Sequence, residues 1–467
     1  MPQSRSYFKS LLTSSCIVTA LIFAGCAQNA DSQVSTTDKA TATKNTPKNI
    51  IVFIGDGMGV STVTAGRIFD GQSQGKMGEE HYLAFEEFDN VAMIKTYNTN
   101  SQVPDSAGTA TAILSGYKTN IGAVNVKPNP DLQTMYSESC SGQNLAPTLT
   151  DKAKAKNKAV GIISTARLTH ATPAAMYSHS ASRNLEADKD IVDEIAEAGC
   201  KSISTQFISS NIDLALGGGR KEFTDAQVQT WQDAGHIYID DKAALDAAPT
   251  DKRLLGLFNA SHMSFEADRE GTNEPSLAHM TDQAISRLSQ DEDGYVLMVE
   301  AGRVDHAHHG SNAYRALTDM QALNEAVKMA KEKTGEDTLI VVTADHSHVF
   351  VMQGYPTRGN PILGLVRSND METSQPNADY SKADDEKPYT TLGYYNGPNQ
   401  RTDASDALTD NMVQAKDYRQ QTAVPMGSET HAGEDVPLYA TGPGAHHFKG
   451  VMDQDEIGQT LEKLLKP

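Results

Sequence analysis

Asn49-Ile50-Ile51-Val52-Phe53-Ile54, followed at once by Gly55-Asp56-Gly57, is an unbroken apolar run that ends in an acid held between two glycines. A strand covered on both faces reads this way, whereas a strand with one wet face alternates. Three further runs repeat the design. Ala159 to Ile163 ends in Ser164 and Thr165, Gly294 to Val299 ends in Glu300, and Thr338 to Val342 ends in Thr343-Ala344-Asp345. Longer amphipathic stretches separate the strands. In Tyr314 to Lys331, residues Leu317, Met320, Leu323, Val327 and Ala330 recur near helical spacing, which supplies the crossover helix that parallel strands require. The fold class predicted is α/β with a mostly parallel sheet. Sheets of this class bind ligands outside the carboxyl ends of their strands, so Asp56, Glu300 and Asp345 are delivered to one edge.

The 467 residues allow one large α/β domain or two to three ordinary ones. Forty Lys and Arg against sixty Asp and Glu give a net charge of -20, which repels nucleic acid and anionic membranes. No nucleic-acid partner is expected, and any anion site must be made locally. Bound divalent cations are the means, being often the largest charges in a site.

At the N-terminus, Arg5 and Lys9 precede an apolar run from Leu11 through Cys16, Ile17, Val18 and Leu21 to Phe23, closed by Ala24 and Gly25. Residues 1–25 read as a signal peptide, its apolar run being too short to span a membrane comfortably. Leu21 to Cys26 is similar to a lipoprotein box with Phe23 in place of Leu; the alternative is ordinary cleavage with Cys26 incidental. Residues 26–48, rich in Ser, Thr, Ala, Asn and Lys, read as a disordered tether. Cys140 and Cys200 either form a disulfide or remain two buried thiols. From 352 to 421 the chain turns polar and irregular, which reads as a small inserted subdomain or a flexible surface excursion.

Several of the fourteen histidines fall beside acids: Asp305 with His306, His308 and His309, then Asp345 with His346 and His348, and later His431. Carboxylate and imidazole are the ligands zinc accepts without cysteine, and Asp305 and His309, four apart, face one side of a helical turn. A lone Asp-His pair is commonly a surface pair; acids at three strand ends make metal the better reading. Val103-Pro104-Asp105-Ser106-Ala107-Gly108 passes from an extended lead into small helix-compatible residues. Free N–H groups at such a helix start favour anions, which suits a nucleophile attacking phosphorus. Taken alone, however, the segment reads as an ordinary serine cap.

Six ordered motifs carry a resemblance that runs from Lys48 to the C-terminal helix: FIGDGMG from Phe53, TYNTNSQVPDSAGTATA from Thr96, HATPAAMYSHSASR from His170, VEAGRVDHAHHGSNA from Val299, TADHSHVF from Thr343 and SETHAGED from Ser428. Together they resemble alkaline phosphatases, and TADHSHVF, ETHAGED and YRQQTAVP from Tyr418 are similar to animal-type members. The resemblance implies a three-layer sandwich with a central, mostly parallel sheet flanked by helices, formed by residues 49–467, with 352–421 as a crown-like insert. It further implies an exported, periplasmic homodimer that hydrolyses phosphate monoesters through a phosphoserine, with two Zn(2+), one Mg(2+), broad specificity and an alkaline optimum.

By the same resemblance, one zinc takes Asp305, His309 and His431, and the other takes Asp56, Asp345 and His346 beside the nucleophile Ser106. Magnesium takes Asp56, Thr172 and Glu300, with waters completing its shell. Arg183 grips the phosphate and Asp105 steers it. His170 and His306 stand where the best-known bacterial enzymes have Asp and Lys, and are expected to act through water on magnesium or phosphate. An animal-type calcium site is not expected: Phe258 and Glu274 align, but Asn259 replaces an acid. Sulfatases and phosphodiesterases are the neighbouring readings; Ser106 is followed by Ala-Gly-Thr-Ala rather than a sulfatase motif, and Arg183 argues against a diesterase. A non-catalytic binder of phosphate or metal has no need of such a serine.

Overall fold

The opening run becomes β1 (Asn49–Gly55), and β2 (Asn90–Lys95), β3 (Ala159–Arg167), β4 (Leu214–Gly218), β5 (Ile237–Ile239), β6 (Leu254–Leu257), β7 (Tyr295–Ala301) and β8 (Thr338–Ala344) follow it. After them come β9 (Ser347–His348), β10 (Phe350–Met352), β11 (Leu392–Gly397), β12 (Thr422–Pro425), β13 (His431–Ala432), β14 (Val436–Thr441) and β15 (Gly450–Asp453). This computed structural model describes residues 46–128, 140, 144–402 and 405–465. The expected signal peptide, Cys26 and all but the end of the tether lie outside the described residues.

Ten strands form one sheet in the order β15-β2-β14-β8-β1-β7-β3-β4-β6-β5. Only β14 runs against its neighbours within it; the pairs from β8 to β5 are all parallel. Every residue of β1, β7 and β8 is buried, at even and odd positions alike, because helices cover both faces. One helical layer includes α1 (Val60–Ser73), and the other begins with α2 (Ser106–Ser115), α3 (Leu149–Lys154) and α4 (Ala171–Ala174). Further along the chain come α5 (Leu277–Leu288), α6 (Arg303–His309), α7 (Ala313–Lys333) and α8 (Gln454–Leu464). The helix α7, expected from 314 to 331, packs on α1, α5 and α6, while α2 packs on α8 and α4. The mostly parallel α/β sheet expected from the apolar runs, in the sandwich that the resemblance implies, is the fold observed.

Two further details bear on the site. β3 continues past Ile163 to Arg167, so Ser164 lies inside the strand, in register with Glu300 of β7. The stretch 352–421 has little regular structure among the described residues; β11, inside it, pairs with β10 and β12 at its two borders in a three-stranded sheet. Its apolar residues Ile362, Leu363, Leu392 and Tyr394 join Phe350, Ala65, Ile68, Ala313 and Leu317 in one cluster, which seats the stretch on α1 and α7.

Cys140 and Cys200 are disulfide-bonded, with Cα atoms 4.9 Å apart, inside the usual range. The bridge joins a small cluster with Leu185, Ile195 and Cys200, close in sequence to Arg183. Because it closes 60 residues of chain, loop entropy assigns it up to roughly 4 kcal/mol. The double change Cys140→Ser with Cys200→Ser is expected to lower the melting temperature measured by calorimetry, and an unchanged temperature would contradict that role.

Candidate active site

The parallel register makes the site. Ile54 lies opposite both Glu300 and Thr343, so Asp56 and Asp345 leave adjacent strands at one level, with Glu300 two residues earlier, near the end of β7. Just past β1 the chain turns at Gly57, whose φ is +71°. A Cβ there would lie 2.3 Å from His348 Nε2, so glycine is required both for the turn and for the space. Gly57 N donates to Asp345 Oδ1 at 3.0 Å. Asp56, Glu300, Asp345 and His346 are fully buried.

Helix α2 brings the serine. Its N-cap is Asp105, whose Oδ1 accepts from Gly108 N at 3.2 Å, so Ser106 is not the capping residue that its local sequence suggests. Relieved of that task, Ser106 Oγ lies 3.2 Å from His346 Nε2. Asp105 also accepts from Asn98 Nδ2 and Gly122 N, both at 3.0 Å, and its Oδ2 takes Arg183 NH1 at 3.1 Å. Arg183 NH2 in turn donates to His170 Nε2 at 3.0 Å. Oxygen and ring atoms at this end of the sheet thus form one connected network.

Groups of ligand-type atoms close enough to share an ion occur here repeatedly. Asp56, Asp345 and His346 form one; Asp305, His346, His348 and His431 form another; Asp56, His170 and Glu300 form a third. His346 Nε2 is 3.4 Å from both Asp56 Oδ1 and Asp345 Oδ2. His309 Nε2 and His431 Nε2 are each 3.3 Å from Asp305 Oδ1. The outer nitrogens of these two rings are already engaged: His309 Nδ1 donates to Glu429 O at 2.7 Å and His431 Nδ1 to Pro104 O at 2.8 Å. That fixes the tautomer and turns an Nε2 lone pair inward, as metal-ligating histidines do.

The buried atoms without partners test whether cations fit. Both carboxylate oxygens of Asp56, Oε1 of Glu300, Oγ1 of Thr172 and Nδ1 of His170 are buried with no hydrogen bond, a rare condition that calls for an ion or water. Ser164 Oγ donates to the other oxygen of Glu300. Burial first, then the charges of Asp345, Asp305 and Glu300, push Asp56 well above the carboxylate range. Burial likewise raises Asp345, and it lifts Glu300 to about 7. Burial also acts upward on Asp305, but the imidazoles of His309, His348 and His431 around it outweigh that and hold it well below. Carboxylates that resist ionisation at neutral pH are electrostatically incomplete, and divalent cations complete them. The oxygen and imidazole donors present suit such ions.

Sequence reasoning gave no role to two residues here: His348, noted only among the histidines beside acids, and Glu429. His348 Nε2 meets Asp305 Oδ1 at 2.9 Å and its Nδ1 meets Glu429 Oε2 at 2.6 Å. Burial lowers this imidazole, but Glu429 and Asp305 outweigh it and lift it to about 9. The signal lay in the spacing: His348 is two past His346, Glu429 two before His431, and β9 pairs antiparallel with β13 so that His348 faces His431. His306, partly exposed yet held down to about 3 chiefly by desolvation, accepts from Arg303 NH1 at 3.1 Å. Burial first and then Arg183 keep His170 well below its usual value. Away from the site, Asn259 Nδ2 donates to Glu274 Oε1 at 2.6 Å, beside buried Phe258.

With this geometry in hand, a family model described as alkaline phosphatase matches residues 47–467. The tissue-nonspecific alkaline phosphatase isozyme of Gallus gallus is 42% identical over 453 residues, 90% of this chain and 84% of that protein. Alkaline phosphatase of Gadus morhua is 39% identical over 464 residues, covering 91% and 94%. Among solved structures, the cold-active alkaline phosphatase of the psychrophile Shewanella sp. is similar with a TM-score of 0.65 at 25% identity, covering 90% of this chain and all of that one. Family match, fold and strand-end cluster agree, and the chain therefore belongs to the alkaline phosphatase family of metal-dependent phosphate monoester hydrolases.

Proposed function

We propose that the chain hydrolyses phosphate monoesters through a phosphoserine on Ser106, with two zinc ions and one magnesium ion, broad alcohol specificity and an alkaline optimum. The observation that carries this reading is Ser106 Oγ, placed at the head of α2 and 3.2 Å from His346 Nε2 beside Asp56 and Asp345. Asp305, His309 and His431 would hold one zinc, Asp56, Asp345 and His346 the other, and Asp56, Thr172 and Glu300 the magnesium. When bound, such ions supply Lewis acidity, neutralising phosphoryl oxygens and lowering the pKa of a nearby hydroxyl.

The residues then divide the work. Ser106 Oγ attacks phosphorus in line; its bond to phosphorus forms as the ester P–O bond breaks and the alcohol leaves with a proton. Water attacks the phosphoserine in the same way, breaking Oγ–P and releasing inorganic phosphate. Free N–H groups in the first turn of α2 favour the anion throughout. Arg183 presents a planar fork to two phosphoryl oxygens, held by Asp105 Oδ2 at 3.1 Å. His170 and His306 border this side and act through water. Since only the phosphoryl group is gripped, the alcohol is free to vary.

Removing the fork in Arg183→Ala is expected to raise KM for a phosphomonoester, and the inhibition constant of inorganic phosphate, on the order of 10-fold or more. Steady-state kinetics on the purified variant checks this; an unchanged phosphate constant would take Arg183 out of the binding role. Comparing rates on monoesters and diesters separates this reading from a diesterase.

The N-terminal pattern supports an exported, periplasmic enzyme; it fits a lipid anchor at Cys26 and ordinary cleavage with Cys26 incidental equally, and mass spectrometry of the mature N-terminus separates the two. Family likeness supports a homodimer. Exposed Val351, Tyr355, Tyr395 and Val424 near the β10–β12 sheet are compatible with such an interface, and light scattering on the eluting protein tests it.

A further inference from the structure

His262 belongs to none of the six motifs, yet it is wedged against two histidines of the site. Its ring centroid lies 4.1 Å from that of His306 and 5.4 Å, edge-on, from that of His170; those two are themselves 5.4 Å apart. Three separate segments meet in these rings: the turn before α4, helix α6 and the loop after β6. The three are neighbours only in the fold.

His262 is held more firmly than either ring it touches. Arg167 NH1 lies 2.5 Å from its Nε2 and Arg167 N lies 3.3 Å from its Nδ1, so one residue brackets both ring nitrogens. The rest of that guanidinium is committed to Glu186, Nε to Oε2 at 2.8 Å and NH2 to Oε1 at 2.5 Å, and Thr169 Oγ1 adds a 2.6 Å bond to the same carboxylate. Backbone contacts anchor the loop as well. Met263 N donates to Thr165 O at 2.9 Å, and Gly218 packs so closely that a Cβ there would lie 2.2 Å from Ser261 O. A planar bidentate pair at the end of β3 therefore fixes the orientation of an imidazole that has no ligand role of its own.

His306 and His170, by contrast, are each pinned by a hydrogen bond at one nitrogen, from Arg303 NH1 at 3.1 Å and from Arg183 NH2 at 3.0 Å. One bond settles the tautomer, but the outer torsion of a histidine is broad and leaves the ring free to rock. A third ring packed against both removes that freedom.

We propose that His262, braced by Arg167 and Glu186, is a positioning residue for phosphomonoester hydrolysis that orients His306 and His170 without touching a reacting atom. The proposal rests on the reading of Ser106 and Arg183 as the reaction centre. A double-mutant cycle on the metal-loaded full chain, with nitrophenyl phosphate as substrate, tests it. His262→Ala is expected to lower kcat/KM on the order of 10-fold, the scale on which partners of site residues act. In a His306→Ala background the same change is expected to lower it by about 3-fold or less, because a residue through which it acts is gone. His262→Asn keeps a partner for Arg167 but lacks the ring; it is expected to melt within about 2 °C of the parent and still lose about 10-fold in kcat/KM. Parental kinetics in His262→Asn, or losses that simply multiply in the double variant, overturn the positioning role. A Ser106→Ala enzyme that still turned over would instead overturn the reading of the centre, so the two failures remain distinguishable.

Discussion

Ser106→Ala is expected to lower kcat on phosphomonoesters by at least about 10³-fold, since it removes the atom that accepts the phosphoryl group and leaves only binding and electrostatics to act on water. The substitution is small and buried, and Ser106 is not the cap of its helix: Asp105 holds Gly108 N at 3.2 Å. Loss of the hydroxyl therefore leaves α2 intact, and the melting temperature is expected to stay within about 2 °C of the parent. Metal content should persist too, because Asp56, Asp345 and His346 remain. Kinetics, calorimetry and metal analysis on one preparation check all three statements. Full activity in this variant would sink the phosphoserine mechanism; lost metal would reassign part of the effect to the ion.

Chelation is expected to abolish activity and to lower the melting temperature on the order of 10 °C, because ions bound only by the folded state stabilise it by mass action. The dependence on pH gives this expectation a sign. Glu300 rises from 4.5 to about 7 on folding, mainly through burial. Asp56 and Asp345 move the same way. Below 4.5 such a carboxyl is protonated both folded and unfolded, and nothing is lost. Above it the unfolded chain gives up protons that the folded chain retains, so the contribution of these carboxyls falls as pH rises towards about 7, opposed up to about pH 6.5 by His306, His170 and His346, which folding keeps neutral while the unfolded chain is protonated. His348, raised from 6.5 to about 9, adds a further loss of the same sign over that higher interval. Asp305, held below 3.8, acts only at pH below this window. In the metal-loaded enzyme the cations offset the carboxylates, so the stability gained from metal is expected to grow as pH rises from 4.5 to 7. Melting curves across that range, with and without chelator, decide it; identical curves would remove the metal from the account.

Both outcomes turn on how much of the site is local. Acids at the ends of apolar runs are legible in a sequence because a doubly covered strand must be continuously apolar, so its first polar residue marks where it emerges. Asp56, Glu300 and Asp345 were found that way. The spacing of Asp305 and His309 was legible for a similar reason, since four residues make one helical turn. Ser106 was harder. Asp105 and Ser106 are both good caps, and the neighbouring sequence cannot rank them.

The amino-acid sequence by itself determined the α/β class, the edge at which chemistry is collected and the residue types gathered there, because burial and helical periodicity are written into neighbouring residues. Tertiary structure alone decided which atoms meet. It gave the cap to Asp105 and left Ser106 Oγ facing His346 Nε2. It closed Cys140 on Cys200, set His348 opposite His431 through the β9–β13 pairing, and brought His262 against His306. Each of these depends on strand register and loop packing over long separations, and a register shift of one residue would move every such contact while leaving the local pattern unchanged.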